Sequence, residues 1–195
     1  LNEKIKLIKD IQHPVVKKCF NLYGINKRLK KCIHLTYDGD LPSKAGLGSS
    51  SSFTVGLINS IYKIKKKKID KFNLAKKAIN FEKNILKESV GSQDQVAAAF
   101  GGFNHIIFKK KSFLVNPIKP TDWKRKLLNE NLMICLVGEK RFAHNLEKDK
   151  IRNFKQNLNI YYEINDITKK SLDLINSSKE NNLIEFSKLI NEYWF

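Results

Sequence analysis

The stretch Pro42-Ser43-Lys44-Ala45-Gly46-Leu47-Gly48-Ser49-Ser50-Ser51-Ser52 constrains this chain more than any other. Before it, Cys32 to Asp38 alternates. Ile33, Leu35 and Tyr37 fall on one face, and Cys32, His34, Thr36 and Asp38 on the other, which predicts a strand. After it, Phe53, Gly56, Leu57, Ser60, Ile61 and Ile64 recur at helical spacing. A loop of small residues therefore joins a strand to a helix N-terminus. Its two glycines let the backbone approach a ligand closely. The first N–H groups of a helix have no partner within it, and the helix dipole favours an anion there. Ser49 to Ser52 add hydroxyl donors and one candidate metal ligand. These are the parts of a phosphate cradle, although a serine-capped helix after a glycine turn uses the same residues. It is not a Walker A loop, because no Gly-Lys-Ser/Thr closes it and Lys44 precedes the glycines.

The 195 residues hold one large domain or two small ones. An apolar content of 42% supports a core, and no apolar run is long enough to span a bilayer. Leu1 to Asp10 is charged throughout and does not read as a secretory signal. Cys19, Cys32 and Cys135 are far apart and form no Cys-x-x-Cys pair. They read as reduced core thiols of a cytoplasmic protein and argue against a disulfide or zinc framework. The formal charge of +18 makes nucleic acid a partner to weigh. However, the lysines are spread through the chain among many Asn and Ile, as an AT-rich coding bias would also produce. Lys65 to Lys68 and Lys109 to Lys111 fall at apparent turns, so they read as solvated loops that attract anionic substrates modestly.

Along the chain, a short helix is expected from Pro14, with His13 as a surface or capping residue. A second helix, 73–87, capped by Asp70 or Asn73, has Leu74, Ala75, Ala78, Ile79, Ile85 and Leu86 as its apolar face. Glu82 lies on that same face, where a carboxylate needs a cation, a metal or donors unless it reaches water at an edge. A short apolar helix, 96–100, follows, with Ser92 or Asp94 at its start and Gly101-Gly102 at its end. Strands are expected at 103–108, 113–118 and 131–137, with a domain connection between the last two. Helices are expected at 143–177 and 183–194.

Phosphoryl transfer from ATP uses backbone donors for the phosphates, a carboxylate and a hydroxyl for Mg²⁺, and an acidic group at the accepting hydroxyl. The loop, Glu82 and Asp94 supply these residue types.

Pro42 through Ser50 resembles, without a gap, the Pro-x-x-x-Gly-Leu-Gly-Ser-Ser phosphate loop of the GHMP kinases. That superfamily includes galactokinase, homoserine kinase and mevalonate kinase. Its usual Ala-Ala after the serines is replaced here by Ser51 and Ser52. The resemblance implies that Pro42, Lys44, Ala45, Gly46, Leu47, Gly48, Ser49, Ser50 and Ser51 bind ATP. It also implies that Ser50 and Glu82 hold Mg²⁺, and that Asp94 is the catalytic base or positions the acceptor alcohol. Val90 to Asn104 is similar to the Gly-x-Gln-Asp-Gln-x-Ala-Ala-x-x-Gly-Gly-x-Asn segment of the sugar 1-kinases that act on D-glycero-D-manno-heptose 7-phosphate. Asn131 to Gly138 with Arg141 and Ala143 is similar to that subgroup's Thr-Gly-x-x-Arg-x-Ala, with Val137 in place of Thr. Gln93 and Arg141 are therefore candidate substrate contacts, a plain surface arginine being the other reading of Arg141.

The implied fold is α+β: a ribosomal protein S5 domain 2-like kinase domain over 1–120, then part of a ferredoxin-like GHMP C-terminal domain over 121–195. The implied activity is ATP-dependent phosphorylation of a sugar hydroxyl, at C1 of that heptose phosphate. No membrane is implied as a partner. The family's N-terminal sugar-binding motif and C-terminal Gly-rich loop have no counterpart here, so a fragment or a truncated, inactive copy is expected. The alternatives are another GHMP sugar kinase and a non-catalytic basic nucleic-acid-binding module on an S5-like fold. Glu82 and Asp94 argue against the last, since a phosphate-backbone binder has no use for them.

Overall fold

The computed structural model describes residues 4–25, 33–39, 46–133, 135, 152–177 and 182–194. Cys32, Pro42, Lys44, Ala45, Arg141 and the expected helix start at 143–151 lie outside the described residues. The chain divides into two compact units, the second taking up at Gly102.

In the first unit a 3-10 turn at Ile8–Asp10 leads to α1 (Pro14–Tyr23), with Pro14 in the first turn, where its missing N–H is harmless. Gly24 ends α1 at φ 61°. Helix α2 (Ser49–Ile64) starts where the sequence places it. Its buried stripe is rotated from the expected one: Ser51, Thr54, Val55, Leu57, Ile58 and Ile61 are buried, whereas Gly56, Ser60 and Ile64 are exposed. The expected stripe was phased on Phe53, the first large apolar residue. Two small hydroxyl residues, Ser51 and Thr54, occupy the inner face instead.

Helix α3 (Lys71–Asn80) is capped by Asp70, whose carboxylate accepts from Asn73 N at 2.8 Å. The expected single helix to Lys87 changes pitch, because Phe81–Ile85 is a π-helical turn with Leu86 N bonded to Phe81 O. Such turns widen the helix and are frequent at functional sites. Leu74, Ala75, Ala78, Phe81 and Glu82 form one buried stripe, so Glu82 ends an otherwise apolar face. Helix α4 (Gln93–Phe100) ends at Gly101, φ 63°. The core joins Val16, Cys19, Ile58, Ile61, Ala78 and Phe81 from α1, α2, α3 and the π turn. Burial pushes the Cys19 thiol up to about 12, as expected for an inert core thiol.

Residues 33–39 form no strand, contrary to expectation. Ile33, Leu35 and Tyr37 line one cavity of about 380 Å³ with Val16, Phe20 and Phe53, but so does His34 from the other expected face, and all of 33–39 is exposed, so the alternation does not separate two faces here. A strand also needs a neighbour to complete its hydrogen-bond ladder, and none is present among the described residues.

The second unit opens with an antiparallel hairpin, β1 (Asn104–Lys109) and β2 (Ser112–Pro117), in register Lys109↔Ser112 to Asn104↔Pro117. Lys110 and Lys111 form its turn, as the lysine run suggested. Helices α5 (Asp122–Asn131), α6 (Leu158–Asn176) and α7 (Asn182–Trp194) follow, and α6 packs on α7. The expected connection before residue 131 is thus largely α5. Its Trp123, Leu127 and Leu128 repeat over less than two turns, too short a pattern to stand out. No strand is assigned at residues 132, 133 and 135, and Cys135 is exposed, so it is not a core thiol.

Four lysines close helix ends. Lys65 Nζ donates to Tyr23 O at the end of α1 (2.6 Å), Lys18 to Ile85 O at the end of the π turn (2.9 Å), and Lys71 to Phe100 O at the end of α4 (2.7 Å). Lys124, buried, donates to Ile175 O (2.8 Å) and Ser177 O at the end of α6. The last carbonyls of a helix lack partners and the dipole there favours a cation. Among the described residues no helix is long and apolar enough to cross a membrane.

Asp70 offers a test of this unit. The Asn73 backbone N–H, then the Asn73 side chain, hold its carboxyl below the usual 3.8. A lowered folded pKa contributes stability above the unfolded value, lost as pH falls through the folded one. Asp70→Ala should therefore lower the thermal midpoint at pH 7. The gap to wild type should close as the pH drops below about 4, as read by circular-dichroism melts across pH.

Candidate functional site

Gly48 is the N-cap of α2 at φ 70°, ψ 19°, and as glycine it offers no capping side chain of its own. The first helical hydrogen bond is Ser52 N to Gly48 O at 2.9 Å. The N–H groups ahead of Ser52 thus lie before the ladder begins, in the field of the helix dipole. Gly46, at φ 75°, precedes them, and Leu47 is exposed. A left-handed backbone at two positions is why glycine stands at both.

One turn inside this end lies a closed polar network. Ser51 Oγ donates to Glu82 Oε2 at 2.9 Å. The side-chain amide of Gln95 donates to the same Oε2 and to Ser51 Oγ, the latter at 3.1 Å. Glu82 and Gln95 are each 1% exposed. The directions are fixed by chemistry. A carboxylate only accepts, so the Gln95 nitrogen, not its oxygen, faces Glu82, and the Ser51 hydroxyl uses its one proton on the same atom. The other oxygen, Glu82 Oε1, is buried and has no hydrogen-bond partner among the described residues, and the same holds for Gln95 Oε1. A buried anionic oxygen without a donor is costly. It fits a cation, and hard oxygen donors of this kind suit Mg²⁺.

Asp94, in the first turn of α4, sits on the outer side of the same loop and is exposed. A Cβ built on Gly48 would lie 3.1 Å from Asp94 Cγ and 3.4 Å from Oδ2. The carboxylate therefore packs on the bare Cα of the loop glycine. Lys83 Nζ donates to Ser92 Oγ at 2.9 Å, tying the π turn to the start of α4. Loop backbone, a buried carboxylate and an exposed carboxylate thus converge at one end of α2.

The structure brings together Gly48, Ser51, Glu82 and Asp94 of the residues singled out in the sequence. Ser50, expected beside Glu82, is exposed, and Ser51 is the serine bonded to that carboxylate. Gln93 is exposed on the first turn of α4. Pro42, Lys44, Ala45 and Arg141 lie outside the described residues. Gln95 was missed. A signal was available: Gln95, Ala98 and Ala99 are spaced to share the core-facing side of α4, so a glutamine there had to be buried.

Residues 10–102 match the profile of the GHMP kinases N terminal domain. The chain is 32% identical over 148 residues to a D-glycero-alpha-D-manno-heptose 7-phosphate kinase of Campylobacter jejuni, across 75% of this chain and 42% of that protein. It is 41% identical over 73 residues to a galactokinase of Pyrococcus furiosus, across 36% of this chain and 20% of that one. It is 38% identical over 79 residues to a homoserine kinase of Campylobacter hominis, across 40% and 24% of the two. The chain thus spans less than half the length of these curated relatives. A crystal structure described as a D-glycero-D-manno-heptose 1-phosphate kinase from Bacteriodes thetaiotaomicron shares the fold. Its TM-score is 0.74 at 23% identity, covering 98% of this chain and 56% of that one. Residues 10–102 thus belong to the GHMP kinases, as their N-terminal domain.

Proposed function

We propose that this chain is the nucleotide-binding part of a sugar kinase. It would transfer the γ-phosphoryl group of ATP to a sugar hydroxyl, with C1 of D-glycero-D-manno-heptose 7-phosphate as the acceptor. The observation that carries the reading is the packing of Asp94 on Gly48, which sets an exposed carboxylate at the N-cap of α2. The name of the Campylobacter jejuni relative supports the acceptor class. The fold assignment goes with it: an S5-like kinase domain to about residue 120, then part of a ferredoxin-like domain from 121, in a cytoplasmic protein supplied with ATP.

The roles follow from the chemistry. The phosphates lie against Gly46 to Ser50, with Pro42, Lys44 and Ala45 continuing the loop. Ser50 and Glu82 Oε1 are the ligands toward Mg²⁺, while Ser51 orients Glu82 from behind. Bound Mg²⁺ supplies charge neutralisation at the phosphates. Asp94 accepts the hydroxyl proton, or holds the hydroxyl in line, as its oxygen attacks the γ-phosphorus and the bond to ADP breaks. Gln93, exposed beside Asp94, and Arg141 are the substrate contacts.

Asp94→Asn should lower kcat by about 10²–10⁴-fold while leaving nucleotide affinity nearly unchanged, since proton transfer and orientation are what it removes. Glu82→Gln should instead raise the Mg²⁺ concentration needed for half-maximal rate. Steady-state kinetics on the protein with whatever flanking sequence its gene encodes would measure both. Near-normal turnover in Asp94→Asn counts against the assignment. A third variant tests the loop. Gly48→Ala places a side chain at φ 70°, which costs about 1–2 kcal/mol, and drives its Cβ against Asp94. Urea unfolding should show that loss, and calorimetry should show weaker binding of a non-hydrolysable ATP analogue. An unchanged affinity would contradict a phosphate site at Gly48.

A further inference from the structure

Gln95 is a fully buried polar side chain next in sequence to Asp94, yet it faces the other way. Its amide nitrogen reaches Glu82 Oε2 and Ser51 Oγ, and so joins α4 to both the π turn and α2. Two features make this more than a filled space. First, both hydrogen bonds that Gln95 and Ser51 donate to Glu82 go to Oε2, and among the described residues none goes to Oε1. The network therefore distinguishes the two carboxylate oxygens. Second, the same contact sets the rotation of α4. An eight-residue helix has little stability of its own and takes its register from tertiary contacts. With Gln95 anchored inward, Asp94 one position earlier is turned about 100° away, onto Gly48.

We propose that Gln95 is a positioning residue that couples the two carboxylates of the site. It orients Glu82 toward the cation and holds Asp94 against the loop, so one side chain registers both halves. This rests on the kinase reading for its consequence in turnover, but not for the coupling itself. Asp94→Asn and Glu82→Gln should each disturb one half of the site. A change at Gln95 should disturb both.

The test is Gln95→Met, which keeps length and apolar volume and removes the donors, in the protein with its native flanking sequence. Three quantities are read. Mn²⁺ affinity, titrated by its electron paramagnetic resonance signal with a non-hydrolysable ATP analogue bound, should fall about 10–100-fold, as for loss of a residue that orients a metal ligand. Amide hydrogen exchange across residues 94–97 should speed up relative to α3. Turnover at saturating Mg²⁺ should fall at least tenfold. Gln95→Asn, with an amide on a shorter stem, should lose less in all three and covers the case in which Gln95→Met does not fold. Unchanged Mn²⁺ affinity and exchange in a folded variant would overturn the coupling, and so would a lowered melting temperature with both unchanged. If the wild type transfers no phosphoryl group, the kinase reading fails, while Mn²⁺ binding and exchange still decide the role of Gln95.

Discussion

A carboxylate inside an apolar core is the constraint around which the first unit is arranged. Glu82 cannot be left there without donors, since the effective penalty for an unpaired buried ion is several kcal/mol. Its donors come from two different helices, Ser51 of α2 and Gln95 of α4, and Glu82 itself comes from the π turn that follows α3. Satisfying one side chain therefore fixes the relative placement of three elements around the end of α2. Among the described residues Oε1 has no donor, so the buried carboxylate still needs a donor or a cation there. A fold with no further purpose for Glu82 would be served as well by an apolar residue of similar size.

Much of this was legible. The glycine–serine run ahead of a helical stripe placed the start of α2, Pro14 placed α1, and an acidic residue on an apolar stripe marked Glu82 as buried. What was hidden has physical causes. The inner face of α2 begins with Ser51 and Thr54, and hydroxyl residues carry no hydrophobic signal even when buried. Gln95 was masked by the conspicuous Asp94 beside it. The π turn leaves no mark in the apolar spacing before residue 82, since the stripe up to that point is α-helical. The alternation at 33–39 misled: His34 lines the same cavity as Ile33, Leu35 and Tyr37, and a period of two does not supply the neighbouring strand that a ladder requires.

The positive charge has a partly structural explanation that composition could not reveal. Lys18, Lys65, Lys71 and Lys124 each donate to carbonyls at a helix C-terminus. Two of these ends, those of the π turn and α4, belong to the elements that carry Glu82 and Asp94. The lysines thus help hold the functional elements as well as biasing the surface toward anions. The hairpin turn at Lys110 and Lys111 is the solvated case that the runs of lysine suggested.

The proposed phosphoryl-transfer site joins the loop, Glu82 and Asp94. Its most direct test is anomalous diffraction from crystals of the protein, with its native flanking sequence, grown with Mn²⁺ and a non-hydrolysable ATP analogue. The arrangement predicts a Mn²⁺ peak beside Glu82 Oε1, analogue phosphates on the N-terminus of α2, and Asp94 facing the terminal phosphate. Phosphates bound elsewhere, or a metal peak remote from Glu82, would contradict it.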